Sequence, residues 1–390
     1  MWVLRSVHTK SITRTHGTSS AYFNPPAREI LQCSRAKICP TRCTPRHRYG
    51  TSRGNSTTFV GAIHAWNLSD SMSTARVVFF GTPDFASATL TEISLTPGIQ
   101  VVAVVTAPDK QAGRGRQWKT SHVAETAVEL GLPVFKPERL RDPGFVKELE
   151  ALHADLFVVV AFRMLPEVIW AMPKRGTFNV HASLLPDFRG AAPIQWAIAL
   201  GHTQTGVTTF LLNDRIDEGE ILLQSTLEID QNEPFSSVYE RLMRVGAHLA
   251  VETIQGLMHL KLTGTAQIMN AEARLAPKIY PPFGHVELLK TLEDVHHRIR
   301  ACDPIPGASF RLDVTGNERI KVFQSKLLNH CNTMDYELQI ELLISDEGMQ
   351  LVQGEGVLQI HEIQWPGKRK MDVPTFLRGF RLRGKFSLTA

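Results

Sequence analysis

Apolar residues from position 76 onward occur in short continuous runs that alternate with amphipathic stretches. The stretches between the runs predict helices, one ending at Leu95 and one over about 121–131. Continuous apolar strands alternating with helices are typical of a parallel sheet covered on both faces. The pattern therefore predicts an α/β fold with a Rossmann-like, doubly wound, mainly parallel sheet. The predicted strands are 76–80, 100–107, 155–162, 177–181 and 205–212.

A second, smaller unit is predicted after the sheet. A long amphipathic helix over 236–257 closes a first domain at 73–261, and the proline-containing segment 262–284 suits a linker. In the remaining residues, 285–390, a helix at 292–302 precedes several short alternating runs, which predict a small OB-like β-barrel. Those runs are 308–314, 319–328, 337–344 and 357–364.

Positive charge is concentrated at the N-terminus. Residues 1–70 hold ten Lys or Arg against two acids, so the rest of a chain with net charge +5 is slightly acidic. This segment is rich in Ser, Thr and Arg and has no apolar period, which is typical of an organelle transit peptide. We expect residues 1–72 to be a transit peptide or disordered, and the protein to be mitochondrial. A plastid location, a disordered basic arm and a cytoplasmic protein that starts at Met72 are the alternatives.

The cysteines and the apolar runs exclude two classes of protein. Cys33, Cys39 and Cys43 have no fourth ligand at a credible spacing, and Cys302 and Cys331 are isolated, so no structural metal is expected. No apolar run approaches the roughly 20 residues needed to cross a bilayer, so a membrane-spanning role is not expected.

The run 178–186 and the later Asp217-Glu218-Gly219 carry the candidate chemistry. Asn179 and His181 are two apart on a predicted strand, so their side chains point to the same face. The Asn amide can donate to a developing oxyanion and an imidazolium can stabilise it, while the Asp217 carboxylate sets the charge state of the histidine. These three side chains suit the transfer of a one-carbon acyl group to an amine.

These motifs resemble the folate-dependent formyltransferases, which have an Asn-x-His on a strand, a following Ser-Leu-Leu-Pro loop and a later Asp. The resemblance implies that Asn179, His181 and Asp217 are catalytic and that 10-formyltetrahydrofolate is the co-substrate, without a metal. It also implies that one loop shapes the folate cleft, formed by Ser183, Leu184, Leu185 and Pro186. A dinucleotide site is not expected, because Gly81 lacks the further glycines of Gly-x-Gly-x-x-Gly.

The segment 108–119 separates the possible acceptors. Its Pro-Asp-x-x-Ala-Gly-Arg-Gly resembles the loop by which methionyl-tRNA formyltransferases enter the acceptor end of the tRNA, which implies that Arg114 contacts RNA. Arg116 and Lys119 add charge, and Trp118 adds a plane on which a base could stack. On composition alone, an ordinary exposed loop is the alternative.

Two further segments bear on the substrates. Gly-Thr-Pro-x-Phe-Ala at 81–86 resembles the same formyltransferases and implies that Phe85 lies beside the aminoacyl group, with a core aromatic as an equal alternative. The segment 160–166 is one residue shorter than the Ala-Tyr-Gly-x-x-Leu-Pro loop that lies against the pterin in the family. The details of pterin recognition therefore stay open.

The resemblance spans roughly residues 75–385 and implies a complete reaction. The expected activity is formyl transfer to the α-amine of initiator methionyl-tRNA for organellar translation initiation, by a monomer whose basic barrel binds the tRNA. The alternatives are a formyltransferase for a small amine, such as an amino sugar or a purine precursor, and a non-catalytic relative that only binds tRNA or folate.

Overall fold

The computed structural model describes residues 74–112, 117–259, 262–268, 273–332 and 337–389. All of them lie in one unit of the chain, which begins at Leu68. The first lobe contains the strands β1 Ala75–Gly81, β2 Ile99–Val105, β3 Lys110–Ala112, β4 Gln117–Lys119, β5 Val134–Phe135, β6 Leu156–Val160, β7 Thr177–His181, β8 Arg189–Gly190, β9 Gln204–Leu211, β10 Ile221–Glu228 and β11 Leu275–Ala276. Its helices are α1 Asp84–Leu95, α2 His122–Glu129, α3 Pro143–Ala151, α4 Glu167–Trp170, α5 Pro193–Ala199 and α6 Phe235–Met258.

Seven strands form the main sheet, in the order β10-β9-β7-β6-β1-β2-β5. Strands β7, β6, β1, β2 and β5 are parallel, which confirms the mainly parallel sheet. Gly81, Val160 and Val180 lie in register at its carboxyl edge. The strand predicted at 205–212 is β9, but it runs antiparallel to both of its neighbours, β7 and β10.

The connection between β7 and β9 covers residues 182–203 and contains β8 and the seven-residue helix α5. Strand β9 then runs back beside β7 in the opposite direction, with Thr208 opposite His181 and Leu211 opposite Phe178. An apolar run has the same composition in either direction, so the sequence pattern does not reveal it.

The two faces of the sheet are covered differently. One face packs under α1 and α6 with buried Phe178 and Val180, and the other packs under α3 and α4 with buried Val159. Side chains alternate along a strand, so Asn179 and His181 on β7 lie on the second face, together with Val159. The catalytic candidates are therefore on the sheet face that α6 leaves uncovered.

Local signals explain where several helices begin. Ser121 accepts a hydrogen bond from the Ala124 N–H at the start of α2, and Asp142 does the same for Phe145 in front of Pro143 at the start of α3. The long helix α6 follows Pro234 and agrees with the helix expected at 236–257. No helix in the described ranges is long and apolar enough to cross a membrane.

The second lobe is a closed antiparallel barrel with one long helix against it. It consists of α7 Leu292–Cys302, β12 Ala308–Leu312, β13 Ile320–Asn329, β14 Glu341–Ile344, β15 Met349–Gln353, β16 Gly356–Gln364, β17 Met371–Asp372, α8 Val373–Arg378 and β18 Gly384–Thr389. Short 3₁₀ helices occur at Pro281–Gly284, Val286–Leu288 and Asp313–Thr315. The order β13-β12-β18-β14-β15-β16 closes because β13 also pairs with β16. This confirms the OB-like barrel, in which β15 and β18 are strands that the sequence pattern did not predict.

Helix α7 joins the two lobes. The His296 Nε2 lies 3.2 Å from the Gln231 carbonyl, and the Arg300 guanidinium donates to the carbonyls of Asp230 and Glu233. Both side chains are almost fully buried. The loop before α6 is thus fixed to the second lobe by hydrogen bonds from side chains of α7 to its backbone carbonyls.

Candidate active site

His181 is buried at the carboxyl end of β7, with only 6% of its surface exposed. Its Nε2 lies 2.9 Å from the Phe188 carbonyl. Because a carbonyl only accepts, Nε2 carries the proton of that hydrogen bond. The Nδ1 atom lies 3.9 Å from the Asp217 Oδ2 and is the ring nitrogen that faces the carboxylate.

Asp217 reaches His181 by an unexpected path. The loop that carries it starts beside the amino end of β7, where the Leu212 N–H donates to the Thr177 carbonyl. The loop then folds back along the sheet face, and Asp217 takes a left-handed φ of 55°. Its Oδ2 accepts a hydrogen bond of 2.9 Å from the Gly190 N–H, which fixes the carboxylate.

Two glycines of the motifs are required by close backbone approaches. A Cβ on Gly219 would lie 1.6 Å from the Leu211 carbonyl oxygen, and one on Gly190 would lie 2.5 Å from that of Ala276. Gly190 also has a φ of +125°, a conformation that other residues rarely adopt. The glycines of the Asp-Glu-Gly and Arg-Gly motifs thus allow the backbone to pack closely next to Asp217.

Asn179 lies two residues before His181 on β7, so both side chains lie on the same face of the sheet. It pairs in register with Phe210 of β9 and is half-buried. No other described residue forms a hydrogen bond with its side-chain amide. The structure therefore brings Asn179, His181 and Asp217 together on one face, with an amide donor available.

Burial and a hydrogen bond fix the loop that is predicted to shape the folate cleft. Ser183 is fully buried and donates to the Asp187 carbonyl, and Leu185 is 3% exposed, before a cis Leu185–Pro186 bond. Leu184 and Pro186 are half-buried. The Ser183 hydroxyl thus forms a hydrogen bond within the loop itself.

Thr208 and Gln224 support this loop, and the sequence motif does not include them. Thr208 donates to the Ser183 carbonyl and accepts from the Leu185 N–H, while the Gln224 amide donates to the Leu185 carbonyl and to Thr208. Thr208 is fully buried in β9, as is the neighbouring Thr209. Because several threonines of this strand are buried, no signal in the sequence distinguishes Thr208.

Phe85 lies in the core of the first lobe. It is 5% exposed and forms an edge-on contact with Tyr239, whose hydroxyl donates to Asp84 and accepts from the Phe85 N–H. Burial, together with the neighbouring Asp84 carboxylate, raises the pKa of Tyr239 well above its ordinary value. Tyr239 is therefore a neutral phenol at physiological pH. The contact of Phe85 with an aminoacyl group stays a prediction.

The basic segment after β2 is a β-hairpin, not an irregular loop. Strands β3 and β4 place Lys110 opposite Lys119 and Gln111 opposite Trp118. Both lysines are exposed, and Trp118 is 71% exposed. Arg114 and Arg116, the other two predicted RNA contacts, lie outside the described residues.

An arginine anchors the loop after β6. Ala161 takes a left-handed φ of 46°, and the next residues expose Met164 and bury Leu165. The Arg163 guanidinium donates to the carbonyls of Pro137 and Glu138 and lies 5.7 Å from the centre of the Phe162 ring. A tight turn and a side-chain anchor thus fix this loop, while its predicted shortening relative to the family stays a prediction.

The segment after α6 supports the site from outside the sheet. Strand β11 pairs with β8, and the Phe188 N–H donates to the Arg274 carbonyl over 2.7 Å. The Arg274 N–H in turn donates to Asp187. This segment therefore fixes Phe188, the hydrogen-bond partner of His181. Within the described ranges, no group of three or more His, Cys, Asp or Glu side chains is arranged to hold a metal ion.

Comparison with known proteins agrees with this geometry. Residues 75–254 match the family described as formyl transferase, and residues 278–381 match the formyl transferase C-terminal domain. The methionyl-tRNA formyltransferase of Parabacteroides distasonis is 39% identical over 328 residues, which are 80% of this chain and 98% of that protein. That of Porphyromonas gingivalis is 41% identical over 317 residues, 79% of this chain and 96% of the relative.

Solved structures show the same fold at lower identity. WlaRD, a sugar 3N-formyl transferase, superposes with a TM-score of 0.53 at 18% identity and covers 76% of this chain and 99% of its own. The N-formyltransferase from Helicobacter canadensis, in complex with folinic acid and dTDP-3-aminofucose, gives the same score and identity. The chain therefore belongs to the formyl transferase family and, within it, to the methionyl-tRNA formyltransferases.

Proposed function

We propose that this protein transfers the formyl group of 10-formyltetrahydrofolate to the α-amine of methionyl-tRNA. The observation that carries the proposal is the convergence of Asn179, His181 and Asp217 on one sheet face, although Asp217 comes from a loop that starts at the opposite end of β7. The two named relatives, 39% and 41% identical over nearly their whole length, support the same acceptor.

The residues around the catalytic face fit a folate. Phe162, Leu165 and Leu212 pack in one cluster at the base of the two loops that flank the site. Near the tips of these loops, Met164 and Ile216 are 68% and 62% exposed. Exposed apolar side chains beside a buried polar pair suit a flat, partly apolar ring system. Bound there, the folate supplies the formyl group.

The three side chains divide the work of acyl transfer. When the amine attacks the formyl carbon, the carbonyl oxygen becomes an oxyanion, and the Asn179 amide can donate to it without breaking a protein hydrogen bond. The His181 Nε2 is engaged by Phe188, so only Nδ1 can face the site and the Asp217 carboxylate. Through Nδ1, the ring can act on the same developing negative charge as the Asn179 amide.

Asp217 can also receive a proton. Its Oδ2 accepts the Gly190 N–H, while Oδ1 has no hydrogen-bond partner among the described residues. The attacking amine must lose a proton as the new C–N bond forms, and the folate nitrogen must gain one as its bond to the formyl carbon breaks. Oδ1 can accept that proton through a water molecule.

The hairpin and the barrel support an RNA acceptor. Like charges directly opposite each other destabilise a strand pair, so Lys110 and Lys119 favour a bound polyanion between them. In the barrel tail, Lys370, Arg383 and Lys385 pair with acids, whereas Lys368 and Arg369 form no ion pair with another described residue. Part of the basic tail is thus available to phosphate.

A transfer assay tests the proposal. Purified protein, with and without residues 1–72, is given 10-formyltetrahydrofolate together with methionyl-tRNA, uncharged tRNA or glycinamide ribonucleotide. We expect formylation of methionyl-tRNA alone. Transfer to the small amine would contradict the acceptor, and folate binding without transfer to any acceptor would favour a binding protein.

We also propose that the protein acts in mitochondrial translation initiation, as a monomer. The composition of residues 1–72, which lie outside the described residues, supports the location. A fluorescent fusion of residues 1–72 should enter mitochondria; import into plastids, or a cytoplasmic signal, would contradict this. Light scattering of the purified full chain should give 43.5 kDa, and a mass twice as large would contradict the monomer.

A further inference from the structure

The side chain of Gln267 holds the catalytic loop at two points and binds Arg189 at a third. Its Nε2 donates to the carbonyls of Asp217 and Gly219, over 2.9 and 2.8 Å. Its Oε1 accepts from the Arg189 guanidinium, with the Nε 3.2 Å away. Both N–H donors and the acceptor of the amide are therefore used, which a surface glutamine rarely achieves.

Gln267 lies in the segment that follows α6, and that segment is itself fixed. Thr265 and Ile221 exchange two backbone hydrogen bonds of 2.8 Å, so the chain adds one bridge to the edge strand β10. Gly264 lies against the Glu220 side chain, where a Cβ would be 2.4 Å from a carboxylate oxygen. Two residues after the bridge, the Gln267 side chain extends back to the loop.

Arg189 completes the arrangement. It is 5% exposed, and its Nη1 lies 3.2 Å from the Glu218 carboxylate. Gln267 and Arg189 therefore bind all three consecutive residues of the Asp217-Glu218-Gly219 turn. Since Asp217 has a left-handed backbone, which is unfavourable in a non-glycine residue, the turn needs such external support.

We propose that Gln267 is a positioning residue of the formyl-transfer reaction, which holds the Asp217 carboxylate at its place opposite the His181 Nδ1. It does not touch the reacting atoms and acts through the backbone of the turn. The inference rests on the proposed function for its kinetic readout. Its structural content, the position of Asp217 relative to His181, is measurable without turnover.

Two substitutions and one control separate the roles of the amide. Gln267→Met keeps the length of the side chain and removes every hydrogen bond. Gln267→Glu keeps an acceptor for Arg189 but sets carboxylate oxygens against the carbonyls of Asp217 and Gly219. Thr263→Val, on the same segment and exposed, is the matched control.

We expect Gln267→Met to lower kcat by ~10- to 100-fold, because small displacements of a catalytic group have effects of that size. The KM for each substrate should stay within about twofold, and the pH dependence of kcat/KM should shift. Gln267→Glu should be at least as impaired, despite its bond to Arg189. A kcat within twofold of that of Thr263→Val, or a loss that follows thermal stability with an unchanged pH profile, would overturn the proposal.

A second measurement does not depend on the reaction. The ring ¹⁵N shifts of His181, assigned with His181→Asn, report how close the Asp217 carboxylate lies. They should change in Gln267→Met and stay unchanged in Thr263→Val. Unchanged shifts in Gln267→Met would refute the positioning role. Changed shifts in a protein whose wild type formylates nothing would support it while refuting the proposed function.

Discussion

Asn179 differs from the other two catalytic side chains in having no fixed partner. His181 donates to the Phe188 carbonyl and Asp217 accepts from the Gly190 N–H, so both are oriented before any substrate binds. The Asn179 amide forms no hydrogen bond with another described residue and is half-buried on β7. The site therefore has two preset groups and one donor whose hydrogen-bonding capacity is left for the substrate.

Replacing Asn179 tests this division directly. Asn179→Ala should lower kcat by about 100-fold or more, because it removes one oxyanion donor, while the KM values change little. Asn179→Asp should be worse, since it places a negative charge beside the oxyanion. Single-turnover formylation measures both. An Ala variant with the wild-type rate would remove Asn179 from the mechanism.

Arg163 anchors the loop after β6. Arg163→Ala removes both bonds to the carbonyls of Pro137 and Glu138, so the loop loses its anchor. We expect the KM for 10-formyltetrahydrofolate to rise about 5- to 20-fold, with the KM for tRNA unchanged, because two hydrogen bonds from a charged donor are lost. Arg139→Ala, an exposed arginine nearby, is the control. Equal folate KM values in the two variants would contradict the anchoring role.

At the scale of elements, the sequence predicted β1, β2 and β6 because each contains an apolar run that is largely buried. It also predicted β7, although Asn179 and His181 interrupt the apolar residues of that strand. It did not predict the direction of β9, which an apolar run does not encode. It also missed β10, where exposed and covered positions alternate at the sheet edge. The apolar composition of a segment indicates that it is buried, but the pairing of that strand with others depends on residues far apart in the chain.

The same distinction applies to the site. Asn179 and His181 are two positions apart on one strand, so their shared face follows from local geometry. Gln267, Thr208 and Gln224 act on residues 23 to 50 positions away, and no local pattern marks them. The catalytic groups were therefore predictable from motifs, whereas the groups that hold them in place were not.

The hairpin of β3 and β4 gives an element-level prediction. Neutralising the opposed pair, Lys110→Ala with Lys119→Ala, should raise the KM for methionyl-tRNA several-fold and lower its salt dependence by up to about two phosphate contacts. The KM for folate should not change. Lys147→Ala, an exposed cation on α3, is the control. If the paired variant and the control bind tRNA alike, the hairpin is not an RNA contact.

At the scale of the whole molecule, the two lobes meet through neutral and cationic groups of α7. His296 donates from Nε2 to the Gln231 carbonyl and accepts at Nδ1 from the Ser325 hydroxyl, 2.9 Å away. A neutral ring can form both hydrogen bonds. A protonated ring would carry a second N–H at Nδ1, which could then no longer accept from Ser325. Burial, reinforced by the nearby Arg300, lowers the pKa of His296 to about 4.

This interface should make the protein sensitive to acid. Because the folded pKa of His296 is about 4 and the ordinary value is 6.5, the unfolded chain binds more protons between these limits. The free energy of unfolding should be highest above pH 6.5 and fall as the pH drops towards 4. His296 accounts for up to about 3 kcal/mol of this fall.

Urea unfolding at pH 7.5, 5.5 and 4.5 measures the effect. His296→Gln should be less stable than wild type at pH 7.5 and lose less stability between pH 7.5 and 4.5. His361→Gln, at an exposed barrel position, should keep the wild-type slope. Part of the slope should persist in both variants, because burial also lowers the pKa of His297. Identical slopes for His296→Gln and His361→Gln would contradict the assignment.

The route of the chain after α6 limits how this protein can be assembled from parts. All three catalytic side chains lie within residues 75–254, so a gene cut or recombined at that boundary encodes the full set. Gln267 and Ala276, which brace the turns around them, would be lost or inherited from another parent. The end of the matched region therefore lies inside α6, before the end of the lobe that supports the site. Successful exchanges of the barrel should have their junctions after residue 277, and a fragment that ends at residue 254 should be inactive although it contains all three catalytic side chains.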